Sequence, residues 1–134
     1  MIIREYNIND NKQVIDLYNK CFSYNCNKIN LNPTGTILIL LENNKIIGMG
    51  TLDVINDIFK GIKYGYLNNI CIDPEYQGKG LGNYLLKELE KLAIKKECKY
   101  LMLTSNKNRI IAHKLYLKNG YEIIDTCVFK KKFN

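Results

Sequence analysis

Residues 76–85, Tyr-Gln-Gly-Lys-Gly-Leu-Gly-Asn-Tyr-Leu, place three of the chain's nine glycines within five positions, interleaved with Lys79 and directly ahead of a helical pattern. A helix N-terminus carries unpaired N–H groups and a partial positive charge. Removing side chains there lets an anion approach the backbone. Gly78, Gly80 and Gly82 therefore read as a phosphate cradle, with Lys79 as a mobile cation. The order is not that of a nucleoside-triphosphate loop, G-x-x-x-x-G-K-[ST]. Nor is it the dinucleotide pattern G-x-G-x-x-G, since the third glycine comes one residue early. Metal chemistry has little to work with. The five cysteines are odd in number and show no C-x-x-C spacing, and His113 is the single histidine. No metal site is expected, and the thiols read as reduced and buried.

The elements that must hold the cradle follow from hydrophobic period. Residues 2–6 read as a short strand. Asn9 or Asp10 can cap a helix with apolar positions Val14, Ile15, Leu17, Tyr18 and Cys21. Residues 22–35 are polar and turn-rich, a loop or a broken second helix. Residues 36–41 and 45–54 read as strands around a turn at 42–44, and 56–62 as a loop. Residues 64–72 form a strand stopped by Asp73-Pro74. Behind the glycines, Leu81, Leu85, Leu86, Leu89, Leu92 and Ala93 share a helix face. Residues 99–104 read as a strand, and 108–118 as a helix ended by Asn119-Gly120. Residues 121–124 and 127–133 read as closing strands.

At 134 residues the chain is expected to be one domain, residues 1–134, with 46% hydrophobic and 25% charged residues, as in an ordinary soluble protein. No apolar run approaches a membrane span, and the start has no secretory h-region, so a cytoplasmic protein without a membrane partner is expected. The net charge of +7 comes almost wholly from dispersed lysines. No recognition helix or RNA-binding aromatic motif accompanies them, so no nucleic-acid partner is expected.

The motifs resemble the GNAT (Gcn5-related N-acetyltransferase) family. Its pyrophosphate loop, Gln or Arg, x, x, Gly, x, Gly or Ala, matches Gln77-Gly78-Lys79-Gly80-Leu81-Gly82. Residues 67–74 look like the family's fourth strand. Arg109-x-x-Ala112-His113-x-x-Tyr116-x-x-x-Gly120-Tyr121 looks like its last helix and the strand that helix leads into. The resemblance implies an α/β fold: a mixed, mostly antiparallel central sheet flanked by helices, with a splayed strand pair holding the cofactor. It implies acetyl-CoA as co-substrate and a small-molecule primary amine as acceptor, with direct transfer through a tetrahedral intermediate.

Residue by residue, it puts the pyrophosphate on Gln77 to Gly82 and the acetyl and pantetheine groups against the backbone of Ile70 and Ile72. The Ile70 N–H is the candidate donor to the developing oxyanion. Asn108 lies one residue before the slot of a family asparagine that contacts the cofactor. Tyr116 matches the tyrosine that assists thiolate departure. Carboxylate-dependent members often carry glutamate on the fourth strand, where this chain has Tyr66 and Asn68. Those two share one strand face and read as acceptor-pocket residues. Deprotonation then falls to water, to a carboxylate elsewhere, or to an acceptor that arrives partly neutral. The rest of the acceptor side is expected from residues 20–35 and 54–64. A protein N-terminal or lysine acetyltransferase and a non-catalytic acyl-CoA-binding module are the alternatives; a homodimer is left open.

Overall fold

The computed structural model describes residues 1–134. The chain forms two compact units, Met1–Thr104 and Ser105–Asn134. The first holds β1 (Ile2–Glu5), α1 (Asn11–Phe22), β2 (Gly35–Glu42), β3 (Lys45–Asp57), β4 (Ile62–Ile72), α2 (Leu81–Lys95) and β5 (Cys98–Met102). The second holds α3 (Ile110–Lys118). The strands make one sheet in the order β1-β2-β3-β4-β5. It is antiparallel as far as β4, while β5 runs parallel to β4. A parallel pair needs a crossover connection, and α2 supplies it.

Local chemistry sets the connections. Asn43 and Asn44 turn β2 into β3 with φ of 51° and 64°, a left-handed pair that suits the twist of a hairpin and that asparagine tolerates. A 3-10 turn at Ile8–Asp10, capped by Asn7, precedes α1, and Asp10 holds the N-cap position of α1 as expected but makes no side-chain cap bond to the helix. Asp10 instead accepts from the Asn7 N–H at 2.8 Å and takes the Arg4 guanidinium through bonds of 2.8 and 3.0 Å.

Both sheet faces are covered. On one, Val14 and Leu17 of α1 pack against Ile37, Ile39, Leu41, Ile46 and Met49. The alternate residues Leu38 and Leu40 are buried too, which a strand requires when each face meets a helix. On that second face, Leu38 lies opposite Gly50, and the Leu89 side chain of α2 closes over Gly50. Leu85, Leu86 and Leu89 are fully buried.

Strands β3 and β4 run three and two residues further than the sequence pattern suggests, leaving a turn at 58–61. Residues 24–32 contain no helix, so the loop reading of that segment holds. The expected strands at 121–124 and 127–133 do not form. A strand exists only where its N–H and C=O groups find a ladder, and the second unit holds no other strand for such a ladder. Helix α3 does stop as expected. Gly120, at φ 87°, donates to the Leu117 carbonyl and Tyr121 donates to that of Tyr116, the paired bonds of a glycine C-cap.

Candidate active site

The site begins with a defect in the sheet. Met49 and Thr51 on β3 oppose Cys71 and Asn68 on β4, so β4 carries one extra residue between them. This is a β-bulge. Asn69 takes φ 54°, its N–H bonds to its neighbour Asn68 Oδ1 at 3.0 Å, and its amide reaches Thr51 Oγ1 at 3.4 Å. Asn69 and Ile70 fall out of register with β3. On the other side, β4 pairs with β5 only between Lys63 and Tyr66. The remainder of β4, including Ile70 and Ile72, parts from β5, as the family resemblance implies.

The glycine loop sits at the carboxyl end of this open stretch, ahead of α2. Gly78 and Gly80 have φ of 81° and 77°, and a Cβ built on either would meet nothing within 4 Å. Both facts matter: the conformation disfavours any side chain, and the space above the backbone is open. Gly82 differs, lying inside the first turn of α2. Gln77 ties the loop back to β4 by donating from Nε2 to the Ile72 carbonyl at 3.1 Å. The Lys79 ammonium lies 5.4 Å from the centre of the Tyr76 ring, which Lys45 also faces at 5.2 Å.

Asp73 anchors the strand end. It is 3% exposed, its carboxylate accepts from the Glu75 N–H at 3.0 Å, and it pairs with Lys20 of α1 at 2.9 Å. Burial alone would raise its pKa; the Glu75 N–H and Lys20 outweigh burial and hold it below the usual carboxylate value. A depressed folded pKa stabilises the protein above the unfolded value, about 3.9, and the contribution is lost as pH falls through the folded value. Asp73→Asn is therefore expected to lower stability at pH 7 and to flatten the acid limb of a urea-midpoint profile between pH 7 and 3. An unchanged acid limb would show that this pair is energetically silent.

A cavity of about 390 Å³ opens on the α1 face of the sheet. Tyr18, Ile29 and Leu31 wall one side, and Thr51, Asp53, Tyr66, Asn68 and Asn69 the other. Tyr66 and Asn68 thus share one cavity next to the bulge. The Tyr66 hydroxyl lies 2.9 Å from Thr104 Oγ1. Of the acceptor segments expected from sequence, 20–35 lines this cavity through its residues from Cys26 to Gly35 and 54–64 does not. Sequence reasoning passed over Asp53, the cavity's one carboxylate. The polar alternation Thr51-x-Asp53 within an apolar strand was the available signal.

In the second unit, Asn108 lies in the turn before α3, its N–H bonded to Asn106 Oδ1 at 2.9 Å. The helix starts two residues later than expected, at Ile110. Tyr116 is half-buried, its ring 5.8 Å from that of Tyr121. Burial pushes its phenol pKa up, with Arg109 opposing.

Comparison with known proteins agrees with this geometry. The profile of the Acetyltransferase (GNAT) family matches residues 5–121. Spermine/spermidine N(1)-acetyltransferase of Bacillus subtilis is 41% identical over 58 residues, 42% of this chain and 38% of that protein. Aminoalkylphosphonate N-acetyltransferase of Salmonella typhimurium is 26% identical over 92 residues, 69% of this chain and 60% of that protein. The chain thus spans less than two thirds of either relative. A crystal structure of a GNAT family acetyltransferase from Staphylococcus aureus superposes with a TM-score of 0.80 at 26% identity, covering 98% of both chains. With its bulged and splayed β4, its glycine loop ahead of α2 and a family profile that runs through both units, the chain belongs to the GNAT family of acetyltransferases.

Proposed function

We propose that residues 1–134 work as one N-acetyltransferase domain that moves an acetyl group from acetyl-CoA to a primary amine of a small molecule. The observation that carries this reading is the glycine loop. Gly78 and Gly80 hold left-handed conformations with open space above them, at the head of a 15-residue helix. That is a fit for a pyrophosphate. Gln77, Gly78, Lys79, Gly80, Leu81 and Gly82 would hold it. The half of β4 that is not paired with β5 would take the acyl arm along Ile70 and Ile72, and Asn108 would add a cofactor contact. Acetyl-CoA supplies an activated thioester carbonyl.

The protein's own part is to orient and to manage charge. The Ile70 N–H, out of register with β3, would donate to the oxygen as it becomes negative. The Tyr116 hydroxyl would give a proton to the departing sulfur, and the proton that the attacking amine loses would restore it through solvent. Tyr66 and Asn68 position the acceptor. A cavity of about 390 Å³ falls in the range of small-molecule sites, and relatives named for spermine, spermidine and aminoalkylphosphonate support a small amine. The test is acetyl-CoA consumption across polyamines, aminosugars, amino acids and N-terminal peptides. Turnover with at least one small amine is expected. Turnover confined to peptides would move the acceptor to a protein, and CoA binding without any turnover would leave a binding module.

A further inference from the structure

We infer that Asp53 is the docking point for a second ammonium group of the acceptor, remote from the reacting amine, so that the preferred acceptors are long diamines or polyamines. The inference rests on the acyl-transfer reading above. Three observations carry it. First, Asp53 is the one carboxylate that lines the cavity, and it takes part in none of the chain's ion pairs. Second, its one hydrogen-bond donor is the Thr34 hydroxyl at 2.6 Å. That hydroxyl has a single proton and lies 2.9 Å from Asn32 Oδ1 as well, so most of the carboxylate's acceptor capacity is unused. Third, the register fixes its place. Asp53 lies opposite Tyr66, and Thr51 lies opposite Asn68.

Those four side chains make a polar patch that leads along the cavity to Asn69 at the bulge. Ile70 is four residues beyond Tyr66 on β4, which at strand rise is about 10–13 Å, allowing for the bulge. A carboxylate that far away cannot take a proton from an amine reacting at Ile70. It can hold a second positive charge at the other end of the same molecule, through a charge-assisted hydrogen bond. Lys28, the cavity's one cation, is exposed on the 26–32 loop and would face solvent beside such a chain rather than bind it.

The probes are 1,8-diaminooctane and n-nonylamine, equal in length, with a terminal methyl in place of the second ammonium. In the wild-type protein the diamine is expected to have the higher kcat/KM. Asp53→Asn keeps the shape and a hydrogen-bond acceptor for Thr34 but removes the charge. The ratio of the two kcat/KM values is expected to fall about tenfold to a hundredfold, as for loss of a hydrogen bond to a charged group. An unchanged ratio would overturn the assignment. A second readout is independent of turnover: the rise in melting temperature produced by 1,8-diaminooctane should be smaller in Asp53→Asn than in the wild type. Equal rises would also overturn it. If no amine is acetylated at all, the acyl-transfer reading fails, and the melting shift still decides whether Asp53 holds the ammonium.

Discussion

Tyr116→Phe is expected to lower kcat and kcat/KM together by about a hundredfold for the best acceptor, while folding and CoA affinity survive. The change removes one oxygen and little volume. The ring contact with Tyr121 is available to phenylalanine, so α3 should keep its packing. A phenol is protonated across neutral pH at its ordinary pKa of about 10, and burial, which Arg109 only partly opposes, pushes that value further up. A group that acts only in the transition state affects both kinetic parameters equally, and general acid catalysis contributes about 10²-fold or more. Thiolate is a fair leaving group unaided, which sets the lower end of the effect at about tenfold. The measurement is steady-state kinetics with CoA release shown not to limit the rate. Full activity in the phenylalanine variant would reduce Tyr116 to a packing residue.

Gly80→Val is expected to abolish CoA binding. At φ 77° a β-branched residue is badly placed, and left-handed backbone costs roughly 1–2 kcal/mol for any residue with a Cβ. The branched side chain would also occupy the open space beside the loop, where a Cβ now meets nothing within 4 Å. In the wild type, CoA at a hundred times its Kd should add about 2.7 kcal/mol of stability. In the variant the melting temperature should no longer respond to CoA, beyond a modest loss of stability without ligand. The two effects separate cleanly, because strain lowers the baseline and lost binding removes the shift. An undiminished CoA shift would place the pyrophosphate elsewhere.

Much of the site was legible because its signals are local. Three glycines within five residues ahead of a 3.6-period pattern point to a bare helix N-terminus wherever the helix goes. The alternation of Tyr66 and Asn68 puts them on one strand face whatever that strand pairs with. What local pattern could not supply was register. The extra residue at Asn69 shows only in how Met49 and Thr51 line up against Cys71 and Asn68, and a single inserted residue decides which backbone groups leave the ladder. Asp53 was overlooked for the same reason. The alternation Thr51-x-Asp53 marks a polar strand face, but only the register, with Tyr66 across from Asp53, and the cavity beside them give the aspartate a place in the site.

The sequence by itself determined the order of strands and helices through α3, the glycine loop, the helix stop at Gly120 and the family motifs, because each depends on neighbours within a few residues. It placed Asp10 at the cap of α1 but did not show what the carboxylate does there: it engages Arg4 and the Asn7 N–H, while Asn7 caps the 3-10 turn ahead of the helix. It also overcalled strands at 121–124 and 127–133, whose residues have β-like composition but no ladder to join. Only the tertiary structure decided the parallel placement of β5, the point at which it parts from β4, and the polar cavity beside the bulge. These depend on pairing between segments tens of residues apart, where sheet register and packing of α1 and α2 against opposite faces outweigh local preference.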